Sequence, residues 1–147
     1  MEKEKKDMLI KKLELSNYLL TNNEKVLDLA KELNEKNLEN DQKQEISNLL
    51  SDYINNDIKD FTLIKKVIEI LDIPNKSYIL SIIDLRSINF LNNKENAINT
   101  IKLKLNEDIQ FNNEFNKYSY YSLIVNLTII SKDVEFIKLA IDKIQSI

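Results

Sequence analysis

The sequence contains no glycine, cysteine, histidine or tryptophan, and it has a single proline among 147 residues. Without histidine or cysteine, the chain has no imidazole base, no thiolate nucleophile and no ordinary set of zinc ligands. Without glycine, it has no Walker loop, no dinucleotide-binding fingerprint and no EF-hand turn. These absences exclude most of the common enzyme sites, and we expect neither a cofactor nor a bound metal.

The charges are nearly balanced, with 21 basic and 24 acidic residues and a net charge of -3. No basic stripe of the kind that binds a nucleic-acid duplex stands out along the chain. The lysines near the N-terminus alternate with acidic residues, which is typical of a solvated first helical turn. Nucleic acid is therefore not the partner that the sequence favours.

The chain has no apolar run that approaches the ~18 residues of a membrane span. Its first residues also lack the uninterrupted apolar stretch of a signal peptide. The absence of cysteine gives no sign of an oxidising compartment. We therefore expect no membrane association and a cytoplasmic location. Arginine occurs once against 20 lysines, a bias typical of an AT-rich genome, so abundant lysine and asparagine do not by themselves indicate chemistry.

Helix boundaries are marked by Asn, Asp, Ser and Thr instead of glycine and proline. Asn tolerates the left-handed conformation that ends a helix, and all four residue types accept N-cap hydrogen bonds. Thr21 and Glu24 have the spacing of a capping box, and Pro74 excludes the preceding residue from a helix. We predict eight helices separated by breaks at 21–23, 37–41, 55–60, 73–75, 92–93, 108–113 and 131–133.

Apolar residues recur every three to four positions, which is the period of helices and not of strands. Two segments, 77–91 and 114–130, are apolar around almost their whole circumference. A helix of that kind must be covered on several sides. We therefore predict that these two segments are central helices and among the most buried parts of the chain.

The predicted helix starts repeat about every 36 residues, within the range of stacked helix–turn–helix repeats. Evenly sized helical hairpins in any bundle would give a similar spacing. The sequence therefore predicts one all-α domain over residues 1–147, built either as stacked αα-hairpins or as a compact multi-helix bundle.

Carboxylate groups occur at spacings that a metal site or an acid–base pair could use. Glu32, Glu35 and Glu39 share one helix face, but solvated charges explain them without further ligands. Asp57 and Asp60 flank a predicted helix start, where carboxylates cap amides. We interpret both groups as structural.

Asp84 lies in the apolar segment 77–91, with Ser77 and Ser81 on the same face. We interpret the three as a polar seam between closely packed helices, since a serine nucleophile would need a base and an oxyanion hole. Arg86 is the only arginine and lies on a different side of the helix. It either forms an ion pair with an adjacent helix or anchors a partner protein.

Three tyrosines, Tyr118, Tyr120 and Tyr121, begin the seventh predicted helix and cannot all face one core. At least one should lie near the surface, where tyrosine packs at the rim, binds a partner, or stacks on single-stranded nucleic acid. Leu103 and Leu139 fall on otherwise polar faces of their helices and could belong to one apolar patch.

The sequence favours a non-catalytic helical protein that binds another protein, because helical stacks present extended surfaces without needing reactive groups. Its small size and its AT-rich composition suggest a small inhibitor of the immunity or anti-defence type that occludes its partner. The alternatives are a nucleic-acid-associated helical regulator and an enzyme with a carboxylate site, and self-association is left open. The candidate partner-binding residues are Arg86, Asp84, Tyr118, Tyr120, Leu103 and Leu139.

Overall fold

The structure is a computed structural model that describes residues 1–56 and 60–147. Within these ranges the fold is all-α, with eight helices and no strand, which confirms the predicted class. The helices are α1 (Lys3–Leu20), α2 (Lys25–Glu35), α3 (Asn40–Asn56), α4 (Phe61–Ile70), α5 (Lys76–Arg86), α6 (Lys94–Asn106), α7 (Glu114–Ser131) and α8 (Val134–Gln145).

The chain divides into two compact units, Met1–Leu80 and Ser81–Ile147, and the boundary falls inside α5. In the first unit α1 packs on α2 and α3, and α2 also packs on α4. In the second unit α6, α7 and α8 all pack on one another. A single domain over residues 1–147 stays a prediction.

Each core is built from the apolar stripe that its helices present every three to four residues. In α2 the apolar stripe of Val26, Leu29, Ala30 and Leu33 is buried. The buried residues of α4 are likewise three to four positions apart. The fully buried side chains of the first unit include Leu15, Leu19, Leu33, Ile46, Leu50, Ile54, Ile64 and Ile68. The second unit buries Ile83, Leu85, Ile101, Leu105, Tyr120, Ile124 and Phe136.

Side-chain caps start four of the helices, as the abundance of Asn and Asp predicts. The Asp60 carboxylate accepts hydrogen bonds from the Thr62 and Leu63 amides at 2.8 and 3.3 Å. The side chains of Asn93, Asn113 and Asp133 accept equivalent bonds at the starts of α6, α7 and α8. The structural interpretation of Asp60 is confirmed, whereas Asp57 lies outside the described residues.

The prediction of a capping box formed by Thr21 and Glu24 at the start of α2 is wrong. The Thr21 hydroxyl donates backwards to the Asn17 carbonyl at 2.7 Å, so it closes α1. The Asn23 side chain instead accepts from the Lys25 amide at 3.0 Å, and Glu24 makes no side-chain cap. Thr21 is the C-cap of α1, and the N-cap position of α2 falls on Glu24, so Thr21 lies too early in the chain to cap the next helix.

Residues other than glycine adopt the left-handed backbone conformation at the helix ends. Asn22, Asn37 and Asn75 have φ values of 53°, 53° and 63°, which confirms the role predicted for asparagine. Lys132, between α7 and α8, has φ 55° and is the one residue of another type with positive φ among the described residues. A lysine in this conformation carries the steric cost of its Cβ.

The predicted helix 77–91 ends early. α5 stops at Arg86, and residues 87–93 are turns and loop that are half-buried or exposed. The Ser87 hydroxyl donates to the Asp84 carbonyl at 3.0 Å, and the Asn89 side chain accepts from the Leu91 amide at 2.9 Å. These local side-chain bonds compete with helix continuation and end α5. Leu91 is consequently 96% exposed.

Candidate protein-binding face on helix α7

Helix α7 has two apolar faces, and the described structure covers one of them. Its inner face is formed by Tyr120, Ile124 and Thr128, which are at most 3% exposed. These residues lie on the side of α7 that packs on α6 and α8. The inner face therefore accounts for the packing of α7 within its unit.

The opposite side of α7, which we call the outer face, consists of Phe115, Tyr118, Ser122, Val125 and Ile129. Their spacing of three, four, three and four residues is that of the contact stripe of a coiled-coil helix. Phe115 and Tyr118 are 76% and 74% exposed, and Ile129 is 60% exposed. Ile130, about 100° around the helix from Ile129, is also exposed.

This exposure overturns the prediction that 114–130 is a central helix covered on several sides. The segment is apolar around most of its circumference, but among the described residues only the inner face of α7 is fully buried. Val125, expected to be buried, is 38% exposed, whereas Ile124 beside it is fully buried. A helix with an apolar face left in water is typical of a surface that another molecule covers.

Charge is confined to the ends of α7. No charged residue occurs between Lys117 and Lys132, and Glu114 stands at the first position of the helix. The outer face is thus an uncharged strip of aromatic and branched aliphatic side chains about four turns long. A partner surface needs apolar groups, and not counter-charges, to match its centre.

An aromatic cluster fixes α7 to the rest of its unit. The rings of Phe111, Tyr120 and Tyr121 lie with their centroids 5.3 to 5.9 Å apart. The Tyr120 hydroxyl donates to the Lys104 carbonyl of α6 at 3.2 Å, and burial raises the pKa of Tyr120. With Tyr120 buried, Tyr121 half-buried and Tyr118 exposed, the prediction that the three tyrosines face different surroundings is confirmed.

A polar cleft of about 840 Å³ lies along α6 and the loop that follows α5. At its floor the Lys104 ammonium lies 3.0 Å from Asp84 and 3.2 Å from Glu107, and it also donates to the Ser81 hydroxyl at 3.4 Å. Burial opposes the charge of Lys104, but the hydrogen bonds and the Coulombic attraction of Asp84 and Glu107 outweigh it and raise the pKa of the ammonium. The rest of the lining is mainly asparagine and other small polar side chains.

The structure separates the residues that the sequence marked for partner binding. Asp84 and Leu103 both line the polar cleft, and Tyr118 lies on the outer face of α7. Tyr120 is buried and belongs to the core. Leu139, 42% exposed, lines a second pocket between α6 and α8, distinct from the cleft that Leu103 lines.

Arg86 is exposed at the C-terminal end of α5, where a cation complements the helix dipole. The two interpretations of Arg86, an inter-helix ion pair and a partner-facing anchor, both stay predictions. The seam predicted around Asp84 takes the form of the ion pair with Lys104 on α6.

Sequence reasoning missed four residues of the exposed apolar surface: Phe115, Val125, Ile129 and Ile130. The signal was present, because the spacing of 115, 118, 122, 125 and 129 forms a stripe separate from that of 120, 124 and 128. Two apolar stripes on one helix indicate two contact surfaces, but not which of them the same chain supplies.

Glu32 and Glu35 of α2 are surface charges, and Glu32 pairs with Lys11 at 3.1 Å and with Lys36 at 3.9 Å. The predicted shared face is wrong for Glu39, because α2 ends at Glu35 and Glu39 lies in the loop that follows. In residues 1–56 and 60–147, no three carboxylates are grouped closely enough to hold a metal ion.

Comparisons with protein-family models, with curated proteins and with solved structures find no match to this chain. Over the part of the chain that the structure describes, no helix combines the length and the apolarity needed to cross a bilayer.

Proposed function

We propose that this protein is a non-catalytic binding domain whose partner protein packs on the outer face of α7. The observation that carries the proposal is the exposure of Phe115, Tyr118 and Ile129 in one uncharged stripe. Removing apolar surface from water contributes about 25 cal/mol for each Å². Aromatic residues at the centre of an interface contribute most of the binding energy in typical complexes.

The rigid support of this face favours binding without rearrangement. α7 is capped by Asn113 at its start and is held to α6 through the buried Tyr120. A face on a fixed helix loses little conformational freedom when a partner covers it. The matching surface on the partner is a helix or groove with apolar side chains and few charges.

A non-catalytic role is supported by the residue types in the chain. The chain has no histidine or cysteine, and the carboxylates of Asp84 and Glu107 are both paired with the Lys104 ammonium. A nucleic-acid role gains no support from the outer face, since phosphate binding requires cations and this face has none between Lys117 and Lys132.

Within this proposal, the protein inhibits its partner by occlusion, as a small immunity or anti-defence protein would. A partner that loses activity in proportion to complex formation would support this form of the proposal. A partner that keeps full activity in the complex would contradict occlusion while leaving the binding role intact.

The proposal is tested by recovering the partner from the native cell with the wild-type protein and with two variants. The double variant Val125→Glu, Ile129→Glu places two charges on the outer face. The control Leu91→Glu places one on the most exposed leucine of the chain, which lies in the loop after α5. We expect the double variant to lose at least about tenfold in affinity and the control to bind as the wild type does.

Circular dichroism checks that both variants keep the helical content of the wild type. Equal binding by the wild type and a folded double variant would contradict the proposal. A complex that weakens equally in the control would mean that the loss is not specific to α7.

A further inference from the structure

We propose that in the isolated protein the outer face of α7 is covered by the same face of a second copy, with the two helices antiparallel. This inference rests on the proposed function, since it assigns an occupant to the same surface. Its reasons are the size of the face, its lack of charge at the centre, and the charges at its two ends.

The size of the face suits a weak, specific dimer. Phe115 and Tyr118 are three-quarters exposed, and Val125 and Ile129 add branched side chains. Together these residues present roughly 500 Å² of accessible surface on each copy, given about 150–250 Å² for a whole aromatic side chain. Two copies would bury about 1,000 Å², which is in the range of weak specific protein interfaces.

The centre of the face complements itself. Positions 118–131 carry no charge, so two copies bring no like charges together there. Ser122 lies at the middle of the stripe, where its small side chain permits close approach of the two helices. The larger residues on either side, Tyr118 and Val125, can then pack around it.

The ends of α7 decide the direction. Glu114 is at the N-terminal end and Lys132 is just beyond the C-terminal end, and both are exposed. An antiparallel pair brings Glu114 of each copy beside Lys132 of the other, and it also opposes the two helix dipoles favourably. A parallel pair would place glutamate beside glutamate and lysine beside lysine.

The first measurement is the mass of the protein in solution by sedimentation equilibrium. The monomer mass is 17.3 kDa, and the wild type is expected to approach twice that value at about 100 μM. Val125→Glu, Ile129→Glu should remain monomeric, whereas Leu91→Glu should dimerise as the wild type does. A monomeric wild type at this concentration, or a double variant that still dimerises, overturns the inference.

The second measurement reports the direction and introduces single cysteines, because the natural chain has none. Ser122→Cys lies near the two-fold axis, so a short bis-maleimide should link two copies efficiently. Phe115→Cys lies about seven residues from the axis, so in an antiparallel pair its two thiols are roughly 20 Å apart. This variant should give little cross-linking.

Cross-linking of both variants indicates a parallel pair, and cross-linking of neither indicates another interface, so each result overturns the antiparallel dimer. Neither result bears on the partner protein, whose binding is measured separately. A monomeric wild type whose partner is lost in Val125→Glu, Ile129→Glu would remove the dimer and leave the proposed function standing. A dimer of the expected geometry, together with unchanged partner binding by Val125→Glu, Ile129→Glu, would contradict the proposed function and leave the dimer standing.

Discussion

The Lys104 ammonium is held 3.0 Å from the Asp84 carboxylate, and this contact joins α6 to the C-terminal half of α5. The Lys104 side chain is only 15% exposed, and Asp84 is 29% exposed. Glu107, just beyond the C-terminal end of α6, supplies a second carboxylate at 3.2 Å. The group thus satisfies a largely buried ammonium inside the unit that carries α7.

Replacing the lysine tests whether this ion pair stabilises the unit. Lys104→Met should lower the free energy of unfolding by about 1–2 kcal/mol, because it removes the ammonium that bonds the partly buried Asp84 carboxylate. Lys138→Met is the matched control, since Lys138 is 68% exposed and lies 3.6 Å from Glu135 in an exposed pair. Urea denaturation should show almost no effect of the control. Equal effects of the two variants would contradict the structural role of Lys104.

Alkaline pH should destabilise the protein through Tyr120. Burial raises the pKa of Tyr120 above the ordinary value of 10.0, so the unfolded chain releases this proton at a lower pH than the folded one. The stability from this group is complete below pH 10 and is lost as pH rises further. The raised pKa of Lys104 acts in the same direction above its ordinary value of 10.5.

The variant Tyr120→Phe separates the contribution of Tyr120 to the loss of stability at alkaline pH from that of Lys104. It should lower the free energy of unfolding by about 1 kcal/mol at pH 7, because it removes the hydrogen bond to the Lys104 carbonyl. Between pH 9 and 11 its stability should fall less steeply than that of the wild type, as measured by thermal denaturation. A pH dependence identical to that of the wild type would show that Tyr120 does not contribute to it.

The left-handed residue between α7 and α8 offers a stabilising substitution. Lys132→Gly should raise the free energy of unfolding by about 0.5–1 kcal/mol at fixed protein concentration, because glycine has no Cβ to clash at φ 55°. Lys138→Gly, in the interior of α8, should lower it by about 1 kcal/mol. Destabilisation by both variants would contradict the conformation described for Lys132.

The cap of α4 rests on a single carboxylate. Asp60→Ala should lower the free energy of unfolding by about 1 kcal/mol, because the Thr62 and Leu63 amides lose their acceptor. Asp60→Asn keeps a side-chain acceptor and should recover most of that loss. If alanine and asparagine behave alike in urea denaturation, the cap is not what stabilises the start of α4.

The sequence predicts the helices well because their boundaries are local. Caps such as Asn93 and Asn113 act on amides two or three residues away, and left-handed Asn75 ends its turn by its own backbone preference. Where two local bonds compete, prediction fails. Thr21 bonds backwards to α1, and Asn89 turns the chain where the apolar pattern continues.

Burial is not local, and the candidate site depends on burial. Tyr118 and Tyr120 are two residues apart on one helix, yet one is exposed and the other is in the core. Their pattern shows that they face different directions but cannot say which direction has a neighbour. For the same reason Leu103 and Leu139, which look equivalent in sequence, lie in separate pockets.

The central claim is that the outer face of α7 is a protein-binding surface, and hydroxyl-radical footprinting tests it most directly. The dilute protein is compared with the same protein saturated by its partner, or concentrated so that copies associate. We predict strong protection of Phe115 and Tyr118 and none of Leu13, which is 71% exposed on α1. Unchanged reactivity of Phe115 and Tyr118 in a complex that protects Leu13 or Leu91 would contradict the claim.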